Sequence, residues 1–181
     1  MRHLTHTVFN ARRAPGTLLL GTANPSGEDR AYNGLYFRHD ELAGMVDTNA
    51  LRGIPVKAEH TGSGIGSVVS AFLDGSGALQ CVLEIDDSVQ GAIASALVRN
   101  GIAADLSMGY AVAVQHSGAT DRLVAGQKNT LEVSLVRRGA REGCHIHAYQ
   151  ETEPDLAPGL ALCPAARQRG IDATWAAFDL G

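Results

Sequence analysis

Bulky aromatic side chains are scarce in this chain: four Phe, four Tyr and one Trp make up 5% of 181 residues. Small residues take their place, with 21 glycines, so the composition favours turns and close backbone approaches over a core filled with rings. A helical membrane span needs about 18 consecutive apolar residues, and no run approaches that length. The opening stretch MRHLTHTVFNARRAPGTLLLGTA carries basic residues and a short apolar run, without a continuous signal-peptide core. Cysteine is limited to Cys81, Cys144 and Cys163, an odd number without CxxC spacing. That argues against a disulfide framework and fits a reducing compartment. There is no basic excess either: the formal net charge is -4, unlike the usual nucleic-acid binder.

What is present is ordinary for a globular chain, with 45% apolar and 19% charged residues. A length of 181 residues predicts one domain, 1–181, able to bury a core without a disulfide or metal staple.

Thr17 to Leu20 reads as a strand between Pro15-Gly16 and the loop Asn24 to Gly27, and Leu35 to Phe37 as a second short one. Asp40 is placed to cap a short helix. Ile54 to His60 reads as extended, followed by a glycine-rich turn, Thr61 to Gly64, and a strand, Gly66 to Phe72. The turn signal Asp74-Gly75-Ser76-Gly77 and the run Ala78 to Ile85 complete a hairpin. The best helix starts at Asp87 or Ser88, with Val89, Ala92, Ile93, Ala96 and Leu97 on one face, and ends at Asn100-Gly101. Two apolar strands, Ala104 to Val114 and Thr130 to Val136, flank a polar loop from His116 to Gly126. Cys144 to Tyr149 alternates as an edge strand does. The tail, about 151–181, holds small helical stretches at 165–169 and 173–178. The order predicts a mainly β or α+β domain rather than a doubly wound sheet.

Several features invite chemical readings. Gly62 to Gly66 is faintly like a phosphate loop, but a strand follows it rather than a helix, so a strand-entry turn is preferred. His145 and His147 share a strand face without an evident third ligand, which favours a solvated face over a metal site. Arg137-Arg138-Gly139-Ala140-Arg141 reads as a solvated basic turn or an anion contact. His60 ends an extended segment, while Ser107 and Glu132 interrupt otherwise apolar strands. Each alone is unremarkable. Together they are a hydroxyl, a base and an orienting acceptor, the set that nucleophilic catalysis requires.

The segment from about Ile54 to Gly143 resembles the viral capsid-maturation serine proteases, the herpesvirus assemblins and the prohead proteases of tailed phages. Three stretches carry the resemblance: Ile54-Pro55-Val56 to His60 with Gly66-Ser67-Val68, then Gly101-Ile102 to Leu106-Ser107-Met108-Gly109-Tyr110, then Glu132 to Val136 running into Arg137 to Gly143. The Leu-Ser-x-Gly-aromatic run and the Glu132 strand look phage-like, and the arginine-glycine loop looks herpesvirus-like. Both ends of the chain are unmatched.

The resemblance implies a compact β-barrel surrounded by helices and a serine endopeptidase without cofactor or metal. It assigns Ser107 as nucleophile, His60 as general base and Glu132 as the orienting acid, where the herpesvirus branch has a second histidine. It gives oxyanion stabilisation to the backbone N–H of Ala140 and to Arg141. The family's second arginine is alanine here, so Arg137 or Arg138 stands in if the loop register is shifted. Expected substrates are the scaffolding protein, the major capsid protein and the protease itself. A homodimer is expected, inside a procapsid in the infected cell, with neither nucleic acid nor membrane as partner. The alternative is a retired structural protein associated with capsid or scaffold. A third reading is a β-rich ligand-binding module in which His60, Ser107 and Glu132 never meet.

Overall fold

The computed structural model describes residues 16–27, 35–117, 122–151 and 161–162. In chain order the elements are β1 (Thr17–Asn24), α1 (His39–Asp47), β2 (Pro55–Ala58), β3 (Thr61–Leu73), β4 (Leu79–Ile85) and α2 (Val89–Arg99). Then follow β5 (Asp105–Ser117), β6 (Arg122–Val136), β7 (Ile146–Glu151) and β8 (Ala161–Leu162). All eight strands join one sheet in the order β5-β6-β2-β3-β4-β1-β7-β8, antiparallel throughout except for the parallel pair β2–β6.

The domain is mainly β, but the ladder is not the closed barrel that the resemblance implies. Its end strands are β5 and β8. The start of β5 does bend back toward β7, where one isolated bridge pairs Asp105 with His145. Backbone bonds from Leu106 N to Cys144 O (2.8 Å) and from Ile146 N to Ala104 O (2.9 Å) flank it. Farther along, β8 occupies the edge of β7 at Ala148 and Tyr149, so the contact does not extend into a ladder. Among the described residues the sheet is accompanied by two helices, α1 and α2.

The core is aliphatic, as the shortage of rings requires. Leu19, Leu42, Leu51, Leu79, Leu83, Ile85, Leu106 and Ile146 are essentially inaccessible. Phe37 is the aromatic residue in this buried set, meeting Tyr110 edge-on with centroids 4.9 Å apart. Cys81 and Cys144 are both free and buried, and burial pushes each thiol up to about 12.

Several expectations need correction. Leu35 to Phe37 is not a strand; Phe37 is anchored by core burial without a ladder. Arg38 rather than Asp40 is the N-cap of α1, because Glu41 reaches back to the Arg38 N–H at 2.8 Å. Helix α2 is where the spacing predicts it, capped by Ser88, whose Oγ accepts the Gly91 N–H at 3.0 Å. It is rotated, however: Gly91, Ala94, Ser95 and Val98 are buried, while Val89 (72%) and Ile93 (57%) are exposed. The small-residue stripe has the same helical spacing as the larger one. It prevails because the helix lies close to its flanking chain: a Cβ on Gly91 would lie 2.3 Å from the Asp86 carbonyl oxygen.

The polar loop from His116 to Gly126 is shorter than expected, with β5 running to Ser117 and β6 starting at Arg122. The strand near Tyr149 is interior rather than edge, lying between β1 and β8. The helical stretches at 165–169 and 173–178 lie outside the described residues, as does Cys163.

Candidate active site

The site is built at the parallel pair in the sheet. β2 sets Val56, Lys57 and Ala58 beside Val133, Ser134 and Leu135 of β6, while β5 sets Ser107 beside Ser134 and Gly109 beside Glu132. Because strand side chains alternate, Leu106, Val133, Leu135 and Val56 face the core. Ser107, Glu132, Ser134 and Lys57 gather on the opposite face. The two polar interruptions of apolar strands, Ser107 and Glu132, thus have a common cause.

His60 reaches this face through a tight turn. Ala58 pairs with Thr61, so Glu59 and His60 alone form the β2–β3 connection, at φ 48° and 60°. Both positive angles match the right-handed twist that a two-residue hairpin needs. Neither residue is glycine, so the backbone is strained, and strain of this kind, about 1–3 kcal/mol per residue, collects at functional sites. The glycines expected to make the turn, Gly62 and Gly64, instead lie in a bulged stretch of β3, where Thr61 to Gly66 oppose Ala58 to Val56.

The side chains form a continuous chain. His60 Nε2 lies 3.0 Å from Ser107 Oγ, and His60 Nδ1 lies 2.5 Å from Glu132 Oε1. Glu132 Oε1 also accepts from Ser134 Oγ at 3.0 Å, and Lys57 Nζ lies 3.2 Å from Oε2. Burial works to raise the Glu132 carboxyl, but hydrogen bonds from His60, Ser134 and Lys57 outweigh it and hold the group below the ordinary carboxylate value. An ionised carboxylate only accepts. The His60 proton therefore sits on Nδ1, leaving Nε2 to accept from the Ser107 hydroxyl. Gly109 makes room for this: a Cβ there would lie 2.6 Å from Glu132 Cγ and 2.7 Å from Oε1.

Ser107 and His60 open into a cleft of about 410 Å³, lined also by Phe37, Tyr110, Ala140, Arg141 and Cys144. Ala140 and Arg141 belong to the loop between β6 and β7, which is tied down twice. The Gly139 N–H donates to Asp105 Oδ2 at 2.9 Å, and the Arg137 N–H to Glu59 Oε1 at 3.0 Å. The loop passes so close to β5 that a Cβ on Gly139 would lie 2.9 Å from the Leu106 carbonyl oxygen. Arg141 is buried, with its guanidinium on Asn24 Oδ1 and, at 3.4 Å, on the Gly27 carbonyl. Its Nε has no hydrogen-bond partner among the described residues. Arg137 and Arg138 are exposed instead, Arg137 beside Glu59.

The structure therefore brings together His60, Ser107, Glu132, Ala140 and Arg141, which removes the reading in which the first three never meet. The solvated-face reading of His145 and His147 also fails. His147 is buried against Thr22 Oγ1 at 2.7 Å, and His145 Nδ1 lies 2.7 Å from Asp105 Oδ1. Among the described residues no group of three or more His, Cys, Asp or Glu is arranged to hold a metal. Three contributors went unread in the sequence: Lys57, Ser134 and Asp105. A charged residue in the apolar run Pro55-Val56-Lys57-Ala58 was the available signal for the first.

The fold is similar to that of a herpesvirus protease. The chain superposes on the protease of Kaposi's sarcoma-associated herpesvirus, solved with a hexapeptide phosphonate inhibitor, at a TM-score of 0.50 and 16% identity. That match covers 76% of this chain and 65% of that one, so the chain spans about 65% of its length. The same viral protease bound to an allosteric inhibitor gives 0.47 at 15% identity, covering 85% of this chain and 87% of that one. In complex with a dimer disruptor it gives 0.46 at 14% identity, over the same shares. No family model and no curated protein matches the sequence.

Proposed function

We propose that this chain is a serine endopeptidase of viral procapsid maturation, acting on scaffolding protein, major capsid protein and its own termini. One observation carries the reading: Ser107, His60 and Glu132 are linked by hydrogen bonds at the edge of an open cleft. Ser107 Oγ attacks the peptide carbonyl carbon as its proton passes to His60 Nε2. Glu132 holds the imidazole by Nδ1–H and stabilises the imidazolium that forms. The tetrahedral oxyanion is met by the Ala140 backbone N–H and, through water, by Arg141. Collapse breaks the C–N bond, with His60 returning the proton to the leaving amine. Water, deprotonated by His60, then cleaves the acyl ester.

The setting is inside a procapsid of the infected cell, and the working form is a homodimer, which sedimentation would detect as twice the chain mass. Reaction with a fluorophosphonate probe tests the chemistry. The wild-type chain is expected to label and to cleave a scaffold-derived peptide, and Ser107→Ala to do neither while keeping its circular dichroism spectrum. Undiminished labelling of Ser107→Ala would overturn the reading. A folded wild-type chain that does not label would favour the retired structural protein.

A further inference from the structure

Lys57 reaches the same network from the side opposite His60. It sits on β2 in register with Ser134, and its Nζ lies 3.2 Å from Glu132 Oε2, the oxygen that His60 does not use. The lysine side chain is 30% exposed and the glutamate side chain only 8%. A carboxylate so shielded from water needs a partner at each oxygen to remain both charged and oriented. Oε1 is shared between His60 and Ser134, which leaves Oε2 to Lys57. With that contact gone, Oε2 has lost its anchor and the carboxylate is held by Oε1 alone.

We propose that Lys57 is a positioning residue of this site, clamping the second oxygen of Glu132 so that the first stays aimed at His60 and the carboxylate stays ionised through the reaction cycle. The role rests on the catalytic reading given above. It is an electrostatic one: the ammonium offsets the charge of Glu132 while the imidazole is neutral.

The other charged groups nearby are engaged elsewhere or lie across the cleft. Glu59, beside His60 in the turn, accepts from the Arg137 N–H; Asp105 on β5 meets His145 and Gly139; Arg141 holds Asn24. On β6, Lys128 pairs with Glu41 at 2.8 Å. Among the described residues, Lys57 is thus the lysine or arginine that pairs with Glu132.

The test compares wild type, Ser107→Ala, Lys57→Met and Lys57→Arg in fluorophosphonate labelling and in peptide cleavage from acid to neutral pH. Lys57→Met is expected to lower kcat about tenfold with KM unchanged, and to move the acid limb of the rate to higher pH. The sign follows from charge: the Lys57 ammonium on Glu132 opposes a proton on the hydrogen-bonded His60–Glu132 pair, so without it the pair takes a proton at higher pH as the solution is acidified. Lys57→Arg restores both rate and limb. Two results would overturn the proposal: a Lys57→Met variant with wild-type rate and acid limb, or one slowed equally at every pH and not rescued by arginine. If wild type labels and Ser107→Ala does not, such a result removes the Lys57 role alone. If wild type behaves as Ser107→Ala does, the catalytic reading falls and this proposal falls with it.

Discussion

Gly109 shows how much a missing side chain contributes at the scale of one residue. In the run Leu106-Ser107-Met108-Gly109-Tyr110 it lies directly across from Glu132, where a methyl group would overlap the carboxylate. Glu132 could swing aside, but only by releasing His60, Ser134 or Lys57. Gly109→Ala is therefore expected to leave the thermal midpoint close to wild type and to reduce peptide cleavage about 10²–10⁴-fold, as losing the orienting group of a triad does. A Gly109→Ala variant at full rate would show that Glu132 is not needed in its present seat. His60 makes the converse point. It occupies a left-handed backbone position that glycine or asparagine usually fills, and its turn connects two strands already placed by the sheet. The imidazole is thereby delivered to the polar face without a long loop.

At the scale of elements, the loop between β6 and β7 is organised from within the chain. Asp105, at the start of β5, accepts the Gly139 N–H and meets His145, while Glu59 accepts the Arg137 N–H. The nucleophile's strand, the histidine's turn and the loop bearing Ala140 and Arg141 are thus cross-linked by two carboxylates. Asp105→Ala leaves the Gly139 N–H without that acceptor, a loss of about 1–3 kcal/mol. The variant is expected to melt at lower temperature and, below that melt, to react with the fluorophosphonate about tenfold more slowly than wild type. Unchanged labelling would mean that the loop needs no such anchor. The rotation of α2 belongs at this scale too. Its spacing is legible as a helix, yet Val89 and Ile93 face outward because β3 and β4 receive the narrower Gly91, Ala94, Ser95 and Val98 stripe.

On the scale of the molecule, three carboxyl groups among the described residues couple stability to pH in one direction. For Glu41, Asp74 and Glu132 burial acts to raise the carboxyl, and hydrogen bonds reverse this: from Lys128 and Arg38 to Glu41, from Ser76, Ala78 and Gln80 to Asp74, and from His60, Ser134 and Lys57 to Glu132. A carboxyl lowered on folding stabilises the native state above its unfolded value, and that contribution fades as the pH falls through the folded value. The melting temperature is therefore expected to be level near neutrality and to decline as acidification passes the ordinary values of 4.5 for Glu and 3.8 for Asp. Calorimetry over that range checks it, and a Glu41→Gln, Asp74→Asn double variant should show a shallower decline.

What the amino-acid sequence determined by itself is the local part. Turn residues and β-branched runs mark the β3–β4 hairpin, helical spacing and Ser88 mark α2, and polar residues on apolar strands mark Ser107 and Glu132. These signals act between residues a few positions apart, which is why they can be read along the chain. The tertiary structure decided the rest. Lys57 and Glu132, 75 positions apart, meet through a parallel pairing of strands, and neither composition nor periodicity encodes which strands lie side by side. The choice of buried stripe on α2, the strained turn at His60 and the second anchor of Glu132 all depend on what packs against them, a long-range property settled only when the sheet assembles.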